Sequence, residues 1–255
     1  MSINQDIIEY NSDADTDSNA IIKENSIEVQ STPEEVSNMV KDAISKSDIK
    51  VNGGRVYSFI KRMTDILLSL LAIIILSPLL IVTALLIFLQ DGGSPIFSQT
   101  RITKDGKLFK MYKFRSMCMN AEEKLAEIAH LNEVDGRVIF KMKDDPRITK
   151  VGKIIRKTSI DELPQLFNIL RDDMSIVGPR PPIVREVAEY TPYQMNRFLV
   201  KGGLTCFWQC SGRSKIPFDE QVKMDINYIE NRSTLLDIKL VLKTILTVLK
   251  MDGAE

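Results

Sequence analysis

Apolar and polar positions divide the chain most sharply at Ile66 to Leu89, where ILLSLLAIIILSPLLIVTALLIFL runs for 24 residues without a charge. As one helix this segment is about 36 Å long, against a bilayer core of about 30 Å. It leaves no polar face for water, unlike the core helix of a soluble domain. It also starts too late, and without a cleavage-site pattern, for a removable signal peptide. Ser77-Pro78 stands at the midpoint. Proline lacks the N–H that continues a helix and crowds the carbonyl four residues back, so a helix-break-helix is expected, with limbs of about 11 and 12 residues. Lys50, Arg55, Lys61 and Arg62 precede the segment, and Arg101, Lys104, Lys107, Lys110, Lys113 and Arg115 follow it. Excess lysine and arginine marks cytosolic flanks, so a re-entrant arrangement satisfies both sides and a straight span only one.

Beyond QDGGSP, the segments IFSQTRI and LFKMYKF alternate with period two around TKDGK. Asp105-Gly106 tolerates positive φ, which predicts a β-hairpin. Asn120 with Glu123 resembles a capping box, and Leu125, Ile128 and Leu131 give the following helix one stripe. In RKTSIDELPQLFNIL, the residues Leu163, Leu166, Phe167 and Leu170 predict a helix with one buried face. Its start has two readings. Ser159 with Glu162 makes a capping box that leaves Pro164 at the fifth helical position, whereas Asp161 as N-cap puts Pro164 third. The final LLDIKLVLKTILTVLK sets Lys239, Lys243 and Lys250 along one side and leucines along the other, a basic amphipathic helix suited to partial burial with its lysines facing headgroups. The expected fold class is mainly α with a small β-hairpin (α+β), as a monotopic membrane protein with a re-entrant helix-break-helix.

Charge refines the division. The net charge is zero, yet residues 1–50 carry 11 Asp/Glu against 4 Lys/Arg, and residues 51–255 carry 23 against 30. Residues 1–50 are expected to be an acidic, disordered tail. Residues 51–90 then form the membrane segment with its interfacial flank, and 91–255 a cytosolic catalytic domain. A basic body suits an anionic substrate, a membrane surface or nucleic acid; no helix-turn-helix, RNA-binding or zinc signature accompanies it, so nucleic acid is not an expected partner. Cys118, Cys206 and Cys210 lack zinc-ligand spacing and read as reduced thiols. The single histidine, His130, falls in the segment NAEEKLAEIAHL, read as a surface helix, which leaves proton and metal work to carboxylates.

The adjacent carboxylates Asp161 and Glu162 can cap a helix, hold a metal or supply a nucleophile. Arg147, Lys150, Lys153, Arg156 and Lys157 precede them, and Arg171 and Arg180 follow. Arginine forks around carboxylates are the composition of a metal-assisted phosphoryl-transfer site, although a solvated basic surface has the same composition. In SIVGPRPP, a Gly-Pro-Arg-Pro turn holds Arg180 in place. KGGLTCFWQCSGRS contains Trp208, which reads as a core residue, and ends near Arg213.

Together, KRMTDILLSLLAIIILSPLL, GSPIFSQTRITKDGKLFKMYKFRSM, DPRITKVGKIIRKTSIDELPQLFNIL, MSIVGPRPP and GLTCFWQCSGRS closely resemble the bacterial sugar transferase family, the monotopic polyprenyl-phosphate sugar-1-phosphate transferases. The resemblance runs from about Arg55 to Lys250. It implies transfer of a sugar 1-phosphate from a UDP-sugar to a polyprenyl (undecaprenyl) phosphate with Mg²⁺, releasing UMP, at the cytoplasmic face of the bacterial inner membrane. It further implies Asp161 as covalent nucleophile and metal ligand, and Glu162 as its acidic partner at the metal. Arg156, Arg180 and Arg213, with Lys113 and Arg115, are then the phosphate-handling candidates. Lys61-Arg62 match the interfacial pair before the re-entrant helix, and Ser77-Pro78 its break. The implied partners are UDP-sugar, polyprenyl phosphate and membrane lipids, and a homo-oligomer is left open. Two other classes remain: a membrane-anchored adaptor in which the Asp-Glu pair only caps a helix, and a UDP-releasing glycosyltransferase. The latter uses a metal-binding Asp-x-Asp, and none occurs downstream of residue 50.

Overall fold

The computed structural model of the chain describes residues 31–121, 123–124, 145–212 and 216–249. Helix α1 (Pro33–Ser45) is opened by a reciprocal cap: the Thr32 hydroxyl accepts from the Glu35 N–H at 3.2 Å, and the Glu35 carboxylate accepts from the Thr32 N–H at 2.7 Å. Val36 and Val40, one turn apart, are fully buried and join a cluster with Ile102, Val187 and Phe198. The expectation of disorder over residues 1–50 therefore fails from residue 33 onward. Composition averaged over fifty residues concealed a single apolar stripe, which is all that a short docked helix requires. Residues 1–30 lie outside the described residues.

Helix α2 (Arg55–Asp91) runs 37 residues and ends on Gly92, whose left-handed backbone (φ 70°) lets its N–H reach the Phe88 carbonyl at 2.7 Å. Its helical span continues through Pro78, the position of the expected break. Proline frees the Ile74 carbonyl, and the Ser77 hydroxyl donates to that carbonyl at 2.8 Å. One stripe of α2 faces the folded domain. Asp65 and Ser69 are buried, Ala72 and Ile73 pack against a cluster that includes Met111 and Ile169, and Leu80, Ala84 and Ile87 pack with Phe114 and Ile155. The other faces leave Leu67, Leu71, Ile75, Val82, Leu86 and Leu89 exposed.

Strands β1 (Ile96–Ile102) and β2 (Leu108–Phe114) pair antiparallel from Ile96↔Phe114 to Ile102↔Leu108, as the alternation predicts. Asp105 (φ 57°) and Gly106 (φ 73°) make the turn. A Cβ on Gly106 would sit 2.7 Å from the Ser37 carbonyl, so only glycine lets α1 seat on the hairpin.

The remainder is helical except for one short sheet: α3 (Lys150–Lys157), α4 (Gln165–Leu170), β3 (Ser175–Val177), α5 (Val184–Ala188), α6 (Pro192–Met195), β4 (Gly203–Thr205), α7 (Phe218–Asn231) and α8 (Thr234–Leu249). β3 and β4 pair in parallel, Ser175 with Gly203 and Val177 with Thr205. Neither strand is long enough to show a period, and neither was expected.

Helix α4 buries Gln165, Leu166, Asn168 and Ile169, whereas Phe167, expected inside, is 44% exposed. Asn168 is the reason. Its side chain accepts from the Tyr112 N–H at 2.9 Å and donates to the Lys110 carbonyl at 2.7 Å, extending the hairpin's hydrogen bonding into α4. In α8, Leu240 is buried while Leu235, Ile238, Leu242 and Ile245 are exposed, which is the partial burial expected.

One ion pair lies deep in the domain. Arg197 donates through Nε to Asp225 Oδ2 at 2.8 Å and through Nη1 to the Tyr190 hydroxyl at 3.1 Å, and both partners are almost fully buried. Removing one member strands the other charge. Arg197→Leu should therefore lower unfolding stability by about 3–5 kcal/mol in urea titrations; an unchanged midpoint would show that Asp225 finds other compensation.

Candidate active site

The catalytic candidates sit in the link between α3 and α4. Ser159 adopts left-handed backbone (φ 57°), turning the chain into a single 3-10 turn over Ile160–Glu162. Its hydroxyl makes no capping bond among the described residues, and Pro164 occupies the cap position of α4. Neither expected helix start is thus adopted. Asp161 is not used as a cap, which leaves its carboxylate available for other work.

Two cations from elsewhere in the chain converge on the turn. Lys113, on β2, lies 2.9 Å from Glu162 Oε1 and 4.0 Å from Asp161 Oδ2. Arg180 Nη1 lies 3.2 Å from the same Glu162 oxygen. Burial alone raises the pKa of Glu162, but Lys113 and Arg180 outweigh it and push the group down to about 2. At Asp161 burial wins: its pKa is raised, with Lys113 opposing and the Glu162 charge adding to the rise. The pair is therefore split into one compensated carboxylate and one higher-energy neighbour, a division typical of sites where two acids have different roles.

Arg180 is held by its turn. The Pro179 carbonyl accepts from the Gly203 N–H at 2.9 Å, and the Pro181 and Pro182 carbonyls accept from Arg101 Nη1 at 3.1 Å and the Ile102 N–H at 3.3 Å. A Cβ on Gly203 would fall 2.1 Å from the Gly178 nitrogen, so this close packing requires glycine.

Arg101 is the residue that sequence reasoning missed as part of the site. Its guanidinium is pushed down to about 10, first by burial and then by Arg180, and its Nε has no partner among the described residues. Contacts some eighty residues apart in sequence, to Pro181, Pro182 and Ile183, bring it there, so no local spacing could have signalled it.

The other candidates divide. Arg156, in the last turn of α3, helps restrain the rise at Asp161. Arg115, expected at a phosphate, forks onto Asp91 and fastens the end of α2. Arg62 donates to the Ile169 and Leu170 carbonyls at 2.7 and 2.9 Å, closing the C-terminus of α4, and Lys61 pairs with Asp237 at 2.9 Å. Arg213, His130 and the expected helix beyond Lys124 lie outside the described residues, as does the tail, where Asp13, Asp15 and Asp17 do have Asp-x-Asp spacing. Among the described residues no three His, Cys, Asp or Glu side chains form a metal cage. Mg²⁺ commonly takes one or two carboxylates and completes its shell with substrate phosphates and water, and Asp161 with Glu162 fits that donor set.

Comparison with known proteins decides the family: residues 56–251 match the family described as bacterial sugar transferase. The chain belongs to it. The galactosyl transferase CpsE of Streptococcus agalactiae serotype III is 50% identical over 167 residues, covering 65% of this sugar transferase and 37% of that protein. The undecaprenyl-phosphate galactose phosphotransferase of Salmonella typhimurium is 44% identical over 199 residues, covering 77% and 42%. The exopolysaccharide production protein ExoY of Sinorhizobium fredii is 41% identical over 197 residues, covering 76% and 87%. The chain thus spans about two fifths of the first two relatives and most of the third.

For this sugar transferase, Arg180→Lys keeps the charge beside Glu162 but loses the planar fork. Turnover should fall about a hundredfold with folding intact. Wild-type transfer by the variant would put the Gly-Pro-Arg-Pro turn outside the reaction.

Proposed function

We propose that this chain transfers a sugar 1-phosphate from a UDP-sugar to undecaprenyl phosphate, releasing UMP, as the first membrane step of exopolysaccharide, capsule or O-antigen synthesis at the cytoplasmic face of the bacterial inner membrane. The observation that carries this reading is the split carboxylate pair, in which Lys113 and Arg180 compensate Glu162 while Asp161 keeps a raised pKa. In the first displacement an Asp161 oxygen attacks the phosphorus bearing the sugar. The bond from that phosphorus to the bridging oxygen breaks, and UMP departs with the bonding electrons. In the second, an oxygen of the lipid phosphate attacks the same phosphorus and returns the carboxylate to Asp161. Arg180 and Arg156 offset phosphate charge during both steps, and Arg101 supports Arg180 from behind. Mg²⁺, held by Asp161 and Glu162 with the substrate diphosphate, would supply further charge neutralisation.

The length and exposed apolar faces of α2 support membrane attachment. Lys61 and Arg62 tie its beginning, Ala72 and Ile73 its middle, and Asp91 its end to one folded unit. A helix held at both ends by a single domain keeps both flanks on one side, which supports a monotopic, re-entrant arrangement. On this reading the active site lies at headgroup depth, where a lipid phosphate and a soluble nucleotide sugar can meet.

Two experiments test these readings. With UDP-sugar alone, the wild-type protein should release up to one UMP per chain and carry a sugar-phosphoryl adduct on Asp161. Asp161→Asn should be folded and membrane-bound but inactive, Glu162→Gln strongly impaired, and chelation of Mg²⁺ should stop turnover until Mg²⁺ is restored. Normal Mg²⁺-dependent turnover by Asp161→Asn would sink the covalent mechanism. For topology, single cysteines at Ser58 and Asp105, in a background with Cys118 replaced, should label equally from the cytosolic face of membrane vesicles. Selective labelling of one from the opposite face would rule out the re-entrant arrangement.

A further inference from the structure

A cavity of about 290 Å³ lies between the first turns of α2, the hairpin turn, residues 199–201 and α7. Neither Asp161 nor Glu162 lines it. Five cations do, Lys61, Arg62, Lys104, Lys201 and Arg232, against one carboxylate among the described residues, Asp65. Asp65 is already occupied, accepting from the Ser175 hydroxyl at 2.8 Å and the Ile176 N–H at 3.0 Å. Lys61 is likewise compensated by Asp237. Lys104 lies 3.5 Å from the Asp105 carboxylate, so the five cations meet four carboxylates, Asp65, Asp105, Asp172 and Asp237, and the wall retains one surplus positive charge.

Two of its cations already share one oxygen anion. Arg62 Nε lies 3.0 Å, and Lys201 Nζ 2.5 Å, from the same Asp172 Oδ1. The Asp172 side chain is 52% exposed on left-handed backbone (φ 68°), and it is not part of the cavity wall. A half-exposed side chain can leave these cations at small cost, so it acts as an internal stand-in for an external anion.

Position narrows the chemistry. The wall uses residues 57–65 of α2, and the uncharged run begins at Ile66. On other faces of the same turns Val56, Phe59 and Met63 are exposed apolar side chains. Cations at the polar edge of a membrane-inserting helix, beside Tyr57 and Tyr228, lie where phosphate headgroups lie.

We infer that this cavity binds a phosphate-bearing anion at headgroup depth, with Lys104 and Lys201 as ligands and Asp172 as the carboxylate it displaces from Lys201. The inference goes beyond the transfer reaction and does not depend on Asp161 being the nucleophile. The phosphate has two sources, a phospholipid headgroup or a soluble phosphate.

The test uses the full chain in two arms. In the first, protein reconstituted in vesicles of phosphatidylcholine with phosphatidylglycerol is extracted, and retained lipid is counted by native mass spectrometry. In the second, detergent-purified protein is titrated with inorganic phosphate at constant ionic strength while Tm is followed. Wild type should retain phosphatidylglycerol over phosphatidylcholine, and the double variant Lys104→Gln/Lys201→Gln should lose about tenfold of that preference. Asp172→Asn, which tolerates the same backbone, should move retention the opposite way, whereas Glu220→Gln, an equal charge change at the far end of α7, should leave it unchanged. A lysine-dependent Tm rise with phosphate but no lipid preference identifies a soluble occupant and supports the site. Identical lipid retention and identical phosphate response in wild type and the double variant overturn it. Equal gains from Asp172→Asn and Glu220→Gln overturn the displacement by reducing it to general electrostatics.

Discussion

Two neighbouring carboxylates in a partly buried turn cannot both keep their charge without help, and much of the domain can be understood as the supply of that help. Lys113 reaches Glu162 from a strand some fifty residues earlier, and Arg180 reaches it from a loop eighteen residues later. Each cation needs its own support. Lys113 is placed by the hairpin, which Asn168 joins to α4 just after the turn that carries the two carboxylates. Arg180 is placed by a proline-rich turn pinned to β1 and β4, and behind that turn the buried Arg197–Asp225 pair fixes the neighbouring helices. The site is preorganised because its charges are anchored to elements that are rigid for unrelated reasons.

Local periodicity accounts for what could be read in advance. The hairpin has a two-residue period over seven residues on each side and a turn pair that accepts positive φ, so its strands were legible to the residue. Asp161, Glu162 and Arg180 were legible because carboxylates and arginines crowd together in sequence as well as in space. Long-range contacts account for the remainder. The β3–β4 pair is too short to carry a period, α1 announces itself through only two buried valines, and Arg101 joins the site through a bridge to residue 183. Arg115 shows the reverse case: a cation of the right type in the right region is consumed by Asp91. Phe167 and Asn168 exchanged roles because a polar side chain can be the better core residue when unpaired backbone groups face it.

In the long apolar helix one side chain makes good what a proline removes. Proline at its centre removes one donor, and a hydroxyl one residue earlier donates to the carbonyl that proline leaves free. In a hydrocarbon environment no water can perform that service, so the serine supplies a donor that would otherwise be missing.

The knot at the start of that helix has a consequence for biosynthesis. Lys61 and Tyr57 both bind Asp237, and Tyr228 donates to the same carboxylate at 2.8 Å. Tyr57 and Lys61 are separated from Asp237 by more than 170 residues of chain. At ordinary translation rates, the helix leaves the ribosome roughly ten to thirty seconds before Asp237 exists. During that interval the nascent helix has its lysine but not its counter-charge. The start of the helix can therefore reach its folded partners only after the C-terminal helices have been made.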